Sequence, residues 1–282
     1  MKALDLIKIG SNKLKENNIF SYNLESEILL SNVLKTTREK VLVNLDNKIS
    51  NLKKKKYIEL IQRRSLKEPI AYILEEKEFW SKKFKVNNNT LIPRPETELI
   101  VENLVKNSEH KKINILDIGT GCGCILISLL SELKNSHGTG IDISKKALEI
   151  AKENAKLHLV NTRIRFINKS FEKLFNYKFD LIVSNPPYIE KPIIKNLHED
   201  IKNFEPKIAL DGGNDGLDVI KKVIYKSKDI LKINGTLALE IGNEQYFEVS
   251  KILYNNRFKI VQKIKDLNDN TRCIISKLKS KY

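Results

Sequence analysis

From Pro95 onward, apolar runs of strand length alternate with amphipathic stretches of helix length, and few folds accept that alternation. Strand-like runs read over 113–118, 139–143, 164–167, 179–184, 236–241, 259–262 and 272–276. Helices read over 97–106, after the first strand, over 145–157 and 217–231, and again from Glu244. Strands separated by helices are joined by crossovers rather than hairpins, so most of them lie parallel with helices on both faces of one sheet. The pattern is that of an α/β chain with a doubly wound, seven-stranded, mostly parallel sheet. The last two strands are the exception, because the polar connection 265–271 is too short for a crossover helix and predicts an antiparallel pair.

Ahead of the sheet, residues 1–75 show only helical periodicity. Leu4, Ile7 and Ile9 mark one helix; Asn23 reads as a cap ahead of Leu24, Ile28, Leu29, Val33 and Leu34. Thr36 followed by Glu39 reads as a capping box, and Tyr57, Ile58, Leu60 and Ile61 mark a further helix. A small helical bundle of this kind suits partner recognition or packing rather than chemistry. Over 76–92 the pattern changes to Phe79-Trp80, Phe84, Val86, an Asn87-Asn88-Asn89 turn and Leu91-Ile92, which predicts a β-hairpin linker. The expected organisation is therefore a helical domain over 1–75, a hairpin over 76–92 and the α/β domain over 93–282.

A chain of 282 residues has room for both, and 41% hydrophobic with 30% charged residues is ordinary for a soluble globular protein. No run of about 18 apolar residues is present, and the opening MKALDLIKIGSNKLKENN has helical periodicity without the apolar block of a signal peptide. A cytoplasmic protein with no membrane partner is expected. Cys122, Cys124 and Cys273 form neither an even disulfide set nor a C-x-x-C pair, and the four histidines stand apart, so no metal site is expected. The net charge of +16 comes mostly from Lys scattered among Asn and Ile; it permits an RNA- or ribosome-associated partner without requiring one.

The first strand of the sheet ends in ILDIGTGCGCI, with Gly119, Gly121 and Gly123 between strand and helix. Glycines there let the backbone turn tightly and approach a ligand. A dinucleotide fingerprint, G-x-G-x-x-G, needs its third glycine at position 124, where Cys124 stands; the spacing here is G-x-G-x-G. That disfavours a pyrophosphate and favours S-adenosylmethionine, which has no phosphate. Asp142 closes the second strand, where its carboxylate can accept from both hydroxyls of a ribose or cap the next helix. Phe171, after the third strand, is placed either to stack on adenine or to fill the core.

The fourth strand runs into Asn185-Pro186-Pro187-Tyr188, a rigid tetrapeptide that cannot extend a sheet ladder. It falls at the carboxyl edge of the sheet, beside the glycine loop, where open α/β sheets bind ligands. Methyl transfer to a planar nitrogen needs the delocalised lone pair to be aimed. The Asn185 side-chain oxygen and the Pro186 carbonyl can each accept one N–H of such a group, Pro187 removes a competing donor, and Tyr188 offers an aromatic face.

With these residues in place the sequence resembles the class I S-adenosylmethionine-dependent methyltransferases, and within them the peptide-chain release factor glutamine methyltransferases. The resemblance covers nearly the whole chain through EPIAYI (68–73), EFW (78–80), LIPRPETE (91–98), LDIGTGCGCI (116–125), SNPPYI (184–189), FEPKIAL (204–210) and DNTR (269–272). It implies a Rossmann-like fold and methylation of the glutamine side-chain amide in the Gly-Gly-Gln loop of class I release factors, docked by the helical domain, with no direct nucleic acid required. It further implies that Gly119, Thr120, Gly121, Cys122, Gly123, Asp142, Phe171 and Asn185 contact the cofactor. The glutamine would be held by Asn185, Pro186, Pro187 and Tyr188, with Asn185, Pro186 and Tyr188 catalytic. Ser170 and Phe171 depart from the family, which often has an acidic residue followed by Trp at these positions. An enzyme acting on the exocyclic amine of adenine or guanine is the alternative, since the tetrapeptide suits any planar amine.

Overall fold

The computed structural model describes residues 1–108 and 112–280. The N-terminal helices are α1 (Ala3–Glu16), α2 (Tyr22–Leu34), α3 (Arg38–Val43), α4 (Asn51–Ser65) and α5 (Ile70–Leu74). A hairpin follows, β1 (Glu76–Phe79) and β2 (Lys82–Lys85). Next come α6 (Glu98–Ser108), β3 (Asn114–Ile118), α7 (Cys124–Glu132), β4 (His137–Asp142), α8 (Lys145–Leu157), β5 (Ile164–Asn168) and β6 (Phe179–Ser184). The chain closes with α9 (Glu199–Phe204), α10 (Asp218–Ile230), β7 (Leu231–Glu240), α11 (Tyr246–Asn255), β8 (Phe258–Lys265) and β9 (Thr271–Leu278).

Two compact units result, one of residues 1–76 with 198–204, the other of 77–197 with 205–282. In the first, Leu6, Leu14, Leu29, Leu30, Tyr57 and Ile61 form a closed apolar core. Gly10 leaves room for the Tyr57 hydroxyl, which a Cβ would meet at 2.0 Å, and that hydroxyl pairs with Ser26 Oγ at 2.6 Å. Burial pushes the Tyr57 phenol up to about 12. Arg64, itself buried, bonds Glu25 of α2 and Asp200 of α9, the latter at 3.0 Å.

The second unit is built on a seven-stranded sheet of order β5-β4-β3-β6-β7-β9-β8. Pairings among β3 to β7 are parallel, and β9 runs antiparallel between β7 and β8. Alternate residues of the central strands face opposite cores, as the period of two requires. Ile115, Val183 and Ala238 pack with α6 and α7 on one face, Leu116, Ile182 and Leu237 with α10 and α11 on the other. Helix α8 shows why its sequence folds so: the Ser144 side chain caps it, accepting from Ala147 N at 3.1 Å, and Ala147, Ala151 and Ala155 give it a flat buried face. Because β4 lies on one side of β3 and β6 on the other, the strand order reverses at β3/β6, which opens a crevice at their carboxyl ends.

Three local expectations are corrected. Helix α2 starts at Tyr22 after Ser21, so Asn23 lies inside it rather than capping it. Thr37, not Thr36, caps α3, its hydroxyl accepting from Lys40 N at 3.4 Å; Glu39 therefore falls one position short of a capping box. The hairpin turns at Trp80-Ser81, both left-handed (φ 53° and 52°), while Asn87–Asn89 forms a separate turn beyond it. The connection after the tetrapeptide contains α9, which belongs to the helical unit. Among the described residues no helix is long and apolar enough to cross a membrane, and no group of His, Cys, Asp and Glu could hold a metal.

Candidate active site

The crevice is a cleft of about 370 Å³ at the carboxyl ends of β3, β4 and β6. Its walls include Gly119, Gly121, Asp142, Phe171, Asn185, Pro186 and Pro187. Three strand ends, each followed by a sharp change of chain direction, thus bring together residues far apart in sequence.

The glycine loop divides its labour. Gly119 (φ 72°) and Gly121 (φ 56°) are left-handed and face open space, where a Cβ would meet nothing closer than 4.0 Å. Gly123 serves packing, since a Cβ there would sit 2.8 Å from Ile127 Cδ1 of α7. Thr120 and Cys122 also lie behind the cleft wall. The Thr120 hydroxyl donates to Asp117 Oδ2 at 2.7 Å, and the Cys122 carbonyl accepts from Asn154 Nδ2 at 2.9 Å. Asp117 is fully buried with Oδ1 unpartnered, and burial pushes its carboxyl up to about 7.

Asp142 accepts from Gly121 N (3.0 Å) through Oδ2 and from Ser144 N (2.8 Å) through Oδ1. The helix cap is Ser144, so Asp142 ties the glycine loop to β4 instead. Each carboxylate oxygen keeps a further lone pair at the cleft wall. Burial raises its pKa against the lowering effect of the two amides. Phe171, in a 3-10 turn, is half-buried: its ring packs on the α10 and α11 core while lining the cleft. An adenosine-bearing cofactor fits this end of the cleft, given the open space at Gly119 and Gly121, the lone pairs of Asp142 and the ring of Phe171.

At the other end Asn185 Nδ2 donates to Thr97 Oγ1 at 3.2 Å. Asn185 Oδ1 and the Pro186 carbonyl accept no hydrogen bond from any described residue, leaving two acceptors on consecutive residues. Thr97 Oγ1 in turn donates to Glu240 Oε2 at 2.6 Å, and the Tyr188 hydroxyl donates to Glu240 Oε1 at 3.2 Å. Tyr188 stands behind the wall, where burial and the adjacent Glu240 carboxylate push its phenol well up. Glu240 is buried at the end of β7, and burial pushes it up to about 7. The exit of the tetrapeptide is fixed by Gln245, whose Nε2 donates to the Tyr188 carbonyl at 3.0 Å, and by Ile189 N donating to the Leu210 carbonyl at 3.1 Å.

Thr97 and Glu240 were not singled out by sequence reasoning. Thr97 lies within LIPRPETE, so a signal was present; Glu240, one acidic residue closing an apolar strand, gave none. The same applies to Arg94 and Glu205, which join two of the quoted motifs. Arg94 Nη2 donates to Glu205 Oε1 at 2.6 Å, and Ile92 N donates to Glu205 Oε2 at 3.3 Å. The Asn88-Asn89 turn and Leu91 line the cleft as well.

The sequence matches the family described as PrmC N-terminal domain over residues 5–74 and that described as Methyltransferase small domain over 95–201. The release factor glutamine methyltransferase of Fusobacterium nucleatum is 40% identical over 278 residues, 97% of this chain and 78% of that one. The protein of the same name from Clostridium botulinum is 39% identical over 279 residues, 96% and 97% of the two chains. The bifunctional methyltransferase of Rickettsia felis is 38% identical over 297 residues; the match takes in 94% of this chain but 56% of that protein, so the chain spans about half its length. Among solved structures, a methyltransferase from Pyrococcus furiosus shares the fold, with a TM-score of 0.53 at 18% identity over 70% of this chain and 89% of that one.

Proposed function

The chain belongs to the release factor glutamine methyltransferase family, and from that premise we propose that it transfers a methyl group from S-adenosylmethionine to the side-chain amide nitrogen of the glutamine in the Gly-Gly-Gln motif of class I peptide chain release factors. The observation that carries this reading is the pair of unpaired acceptors, Asn185 Oδ1 and the Pro186 carbonyl, beside the glycine loop. A primary amide has two N–H groups on one planar nitrogen, and two acceptors on consecutive residues can take both.

S-adenosylmethionine, when bound, supplies a methyl group activated by its sulfonium. Gly119 and Gly121 would leave it room, Asp142 would accept from its ribose hydroxyls, and Phe171 would offer a face to its adenine. Asn185 and Pro186 then hold the acceptor amide so that its nitrogen lone pair, perpendicular to the amide plane, faces the methyl. Pro187, lacking an N–H, puts no competing donor at this wall. No base of matched strength is needed beforehand, because the nitrogen becomes acidic on alkylation and releases its proton to solvent. The work of the site is orientation and exclusion of water, effects worth up to about 7 to 11 kcal/mol in well-aligned systems. In this reading the helical unit docks the release factor, the reaction takes place in the cytoplasm, where translation ends, and no nucleic acid is required.

Asn185→Ala tests this reading. Turnover falls because the acceptor is no longer aimed, while affinity for S-adenosylhomocysteine is largely kept. Asn185→Asp, which keeps an acceptor oxygen, retains partial activity. Single-turnover rates with a Gly-Gly-Gln substrate, run beside duplex DNA, decide it: an Ala variant at the parent rate reduces the tetrapeptide to a turn, and transfer to DNA alone moves the acceptor to a nucleobase amine.

A further inference from the structure

A primary amide has nearly the same shape when flipped, yet only its oxygen can accept a hydrogen bond. Asn185 can therefore serve as an acceptor only if something fixes which end faces the cleft. We propose that Glu240, acting through Thr97, is the positioning residue that turns the Asn185 oxygen toward the cleft, and that the same carboxylate holds Tyr188 in place. This inference rests on the reading of Asn185 as the group that orients the acceptor amide.

The sheet register brings the parts together. Ser184 of β6 pairs with Leu239 of β7, so Asn185 and Glu240 each stand one residue beyond that pair at the carboxyl edge. Thr97 arrives from the other side, in the 3-10 turn Pro95–Thr97 whose backbone closes with Thr97 N donating to the Arg94 carbonyl at 3.1 Å. A hydroxyl has one proton. At 2.6 Å from Glu240 Oε2, Thr97 Oγ1 spends that proton on the carboxylate, in the range of a charge-assisted O–H···O⁻ bond. Only lone pairs remain toward Asn185, 3.2 Å away, and these accept nothing but the Nδ2 end. Oδ1 is left for the cleft. The second carboxylate oxygen takes the Tyr188 hydroxyl, so the two polar side chains of the tetrapeptide share one anchor.

Packing does not call for an acid here. The position is 1% exposed, at the end of a strand whose preceding residues Leu237, Ala238 and Leu239 are equally buried and apolar. An apolar residue would fill it without the desolvation that raises the Glu240 pKa. What an apolar residue could not do is consume the Thr97 proton.

The test compares Thr97→Val, which keeps shape and loses the hydroxyl, with Thr97→Ser and with Glu240→Leu, which removes both acceptor oxygens. The first readout needs no ligand: solvent exchange of the Asn185 side-chain amide protons by NMR, the resonances assigned by their loss in Asn185→Asp. The second is single-turnover methyl transfer to a Gly-Gly-Gln release factor, with KM for the release factor measured alongside and thermal midpoints confirming a folded state. We expect Thr97→Val to speed amide exchange about tenfold or more and to slow transfer about 100-fold, the scale of a misaligned reacting group, with KM little changed. Thr97→Ser restores both toward the parent. Glu240→Leu behaves like Thr97→Val, because no acceptor is then left to consume the Thr97 proton, and a parent-like Glu240→Leu overturns the proposal. Parent-like exchange and rate in Thr97→Val overturn the proposal, as does a Thr97→Ser variant as impaired as Thr97→Val. If the parent protein leaves the release factor unmethylated, the acceptor reading fails, and amide exchange in the same samples still decides whether Glu240 sets Asn185.

Discussion

At Asp142 two opposing effects meet on one carboxylate. Burial disfavours its charge, and the amides of Gly121 and Ser144 favour it. On the proposed reading of Asp142 as the ribose acceptor, Asp142→Ala should lose a charged acceptor, a loss of about 1.5 to 3 kcal/mol, read by calorimetry as weaker S-adenosylhomocysteine binding. Glu240 poses the same conflict more sharply. Its folded pKa is about 7 against an ordinary 4.5, raised by burial with a contribution from Glu96, and lowered in part by Thr97, Tyr188 and Arg272. A raised carboxyl gives stability that is fully present below the unfolded pKa and lost as pH rises through the folded one. Glu240 therefore withdraws on the order of 3 kcal/mol between pH about 4.5 and 7. Urea unfolding of the parent should weaken across this window, and Glu240→Gln should flatten that slope. The transfer rate should climb through the same window, because the Asn185 chain needs the carboxylate. Asp142 and Asn185 were legible in the sequence as strand-end positions, Asp142 because it ends the strand that follows the glycine loop and Asn185 because two prolines break the apolar run before it. Glu240 was not, because nothing in a linear sequence shows that a strand-end acid lies opposite Asn185 rather than in solvent.

Among the elements, α8 shows how packing places the glycine loop. Asn154 sits on its buried alanine face, accepting from Lys85 N at 2.7 Å and donating to the carbonyls of Lys85 (3.0 Å) and Cys122 (2.9 Å). One side chain thus ties β2 and the loop to the helix. Asn154→Ala leaves buried backbone groups unpaired; it should cost about 3 kcal/mol in urea unfolding and weaken S-adenosylhomocysteine binding by loosening the loop. The strands were readable because their apolar runs are dense and their breaks abrupt. The hairpin turn was not, because Trp80-Ser81 carries none of the Asn-Gly chemistry that marks a left-handed pair. Contacts from outside hold it: Trp80 N donates to Glu98 Oε1 at 2.9 Å and Trp80 Nε1 to Glu132 Oε1 at 3.0 Å. Asn87–Asn89 has the turn chemistry that Trp80-Ser81 lacks, and it turns the chain beyond the hairpin instead.

For the whole molecule, the chain returns to the helical unit at 198–204, between the tetrapeptide and the Glu205 loop. Within that unit Asp200 meets the buried Arg64, a pairing across 136 residues that no local pattern reveals. The order of the last three strands was likewise hidden: an antiparallel pair was legible from a short connection, but not that β9 inserts between β7 and β8. Where the methyl lands decides whether the acceptor is a glutamine amide. Incubation with labelled S-adenosylmethionine and, side by side, a class I release factor and duplex DNA, followed by peptide mass spectrometry, should place one methyl on the glutamine of Gly-Gly-Gln and none on DNA. Label on DNA, or on any release-factor residue other than that glutamine, would rule out the glutamine amide as the acceptor.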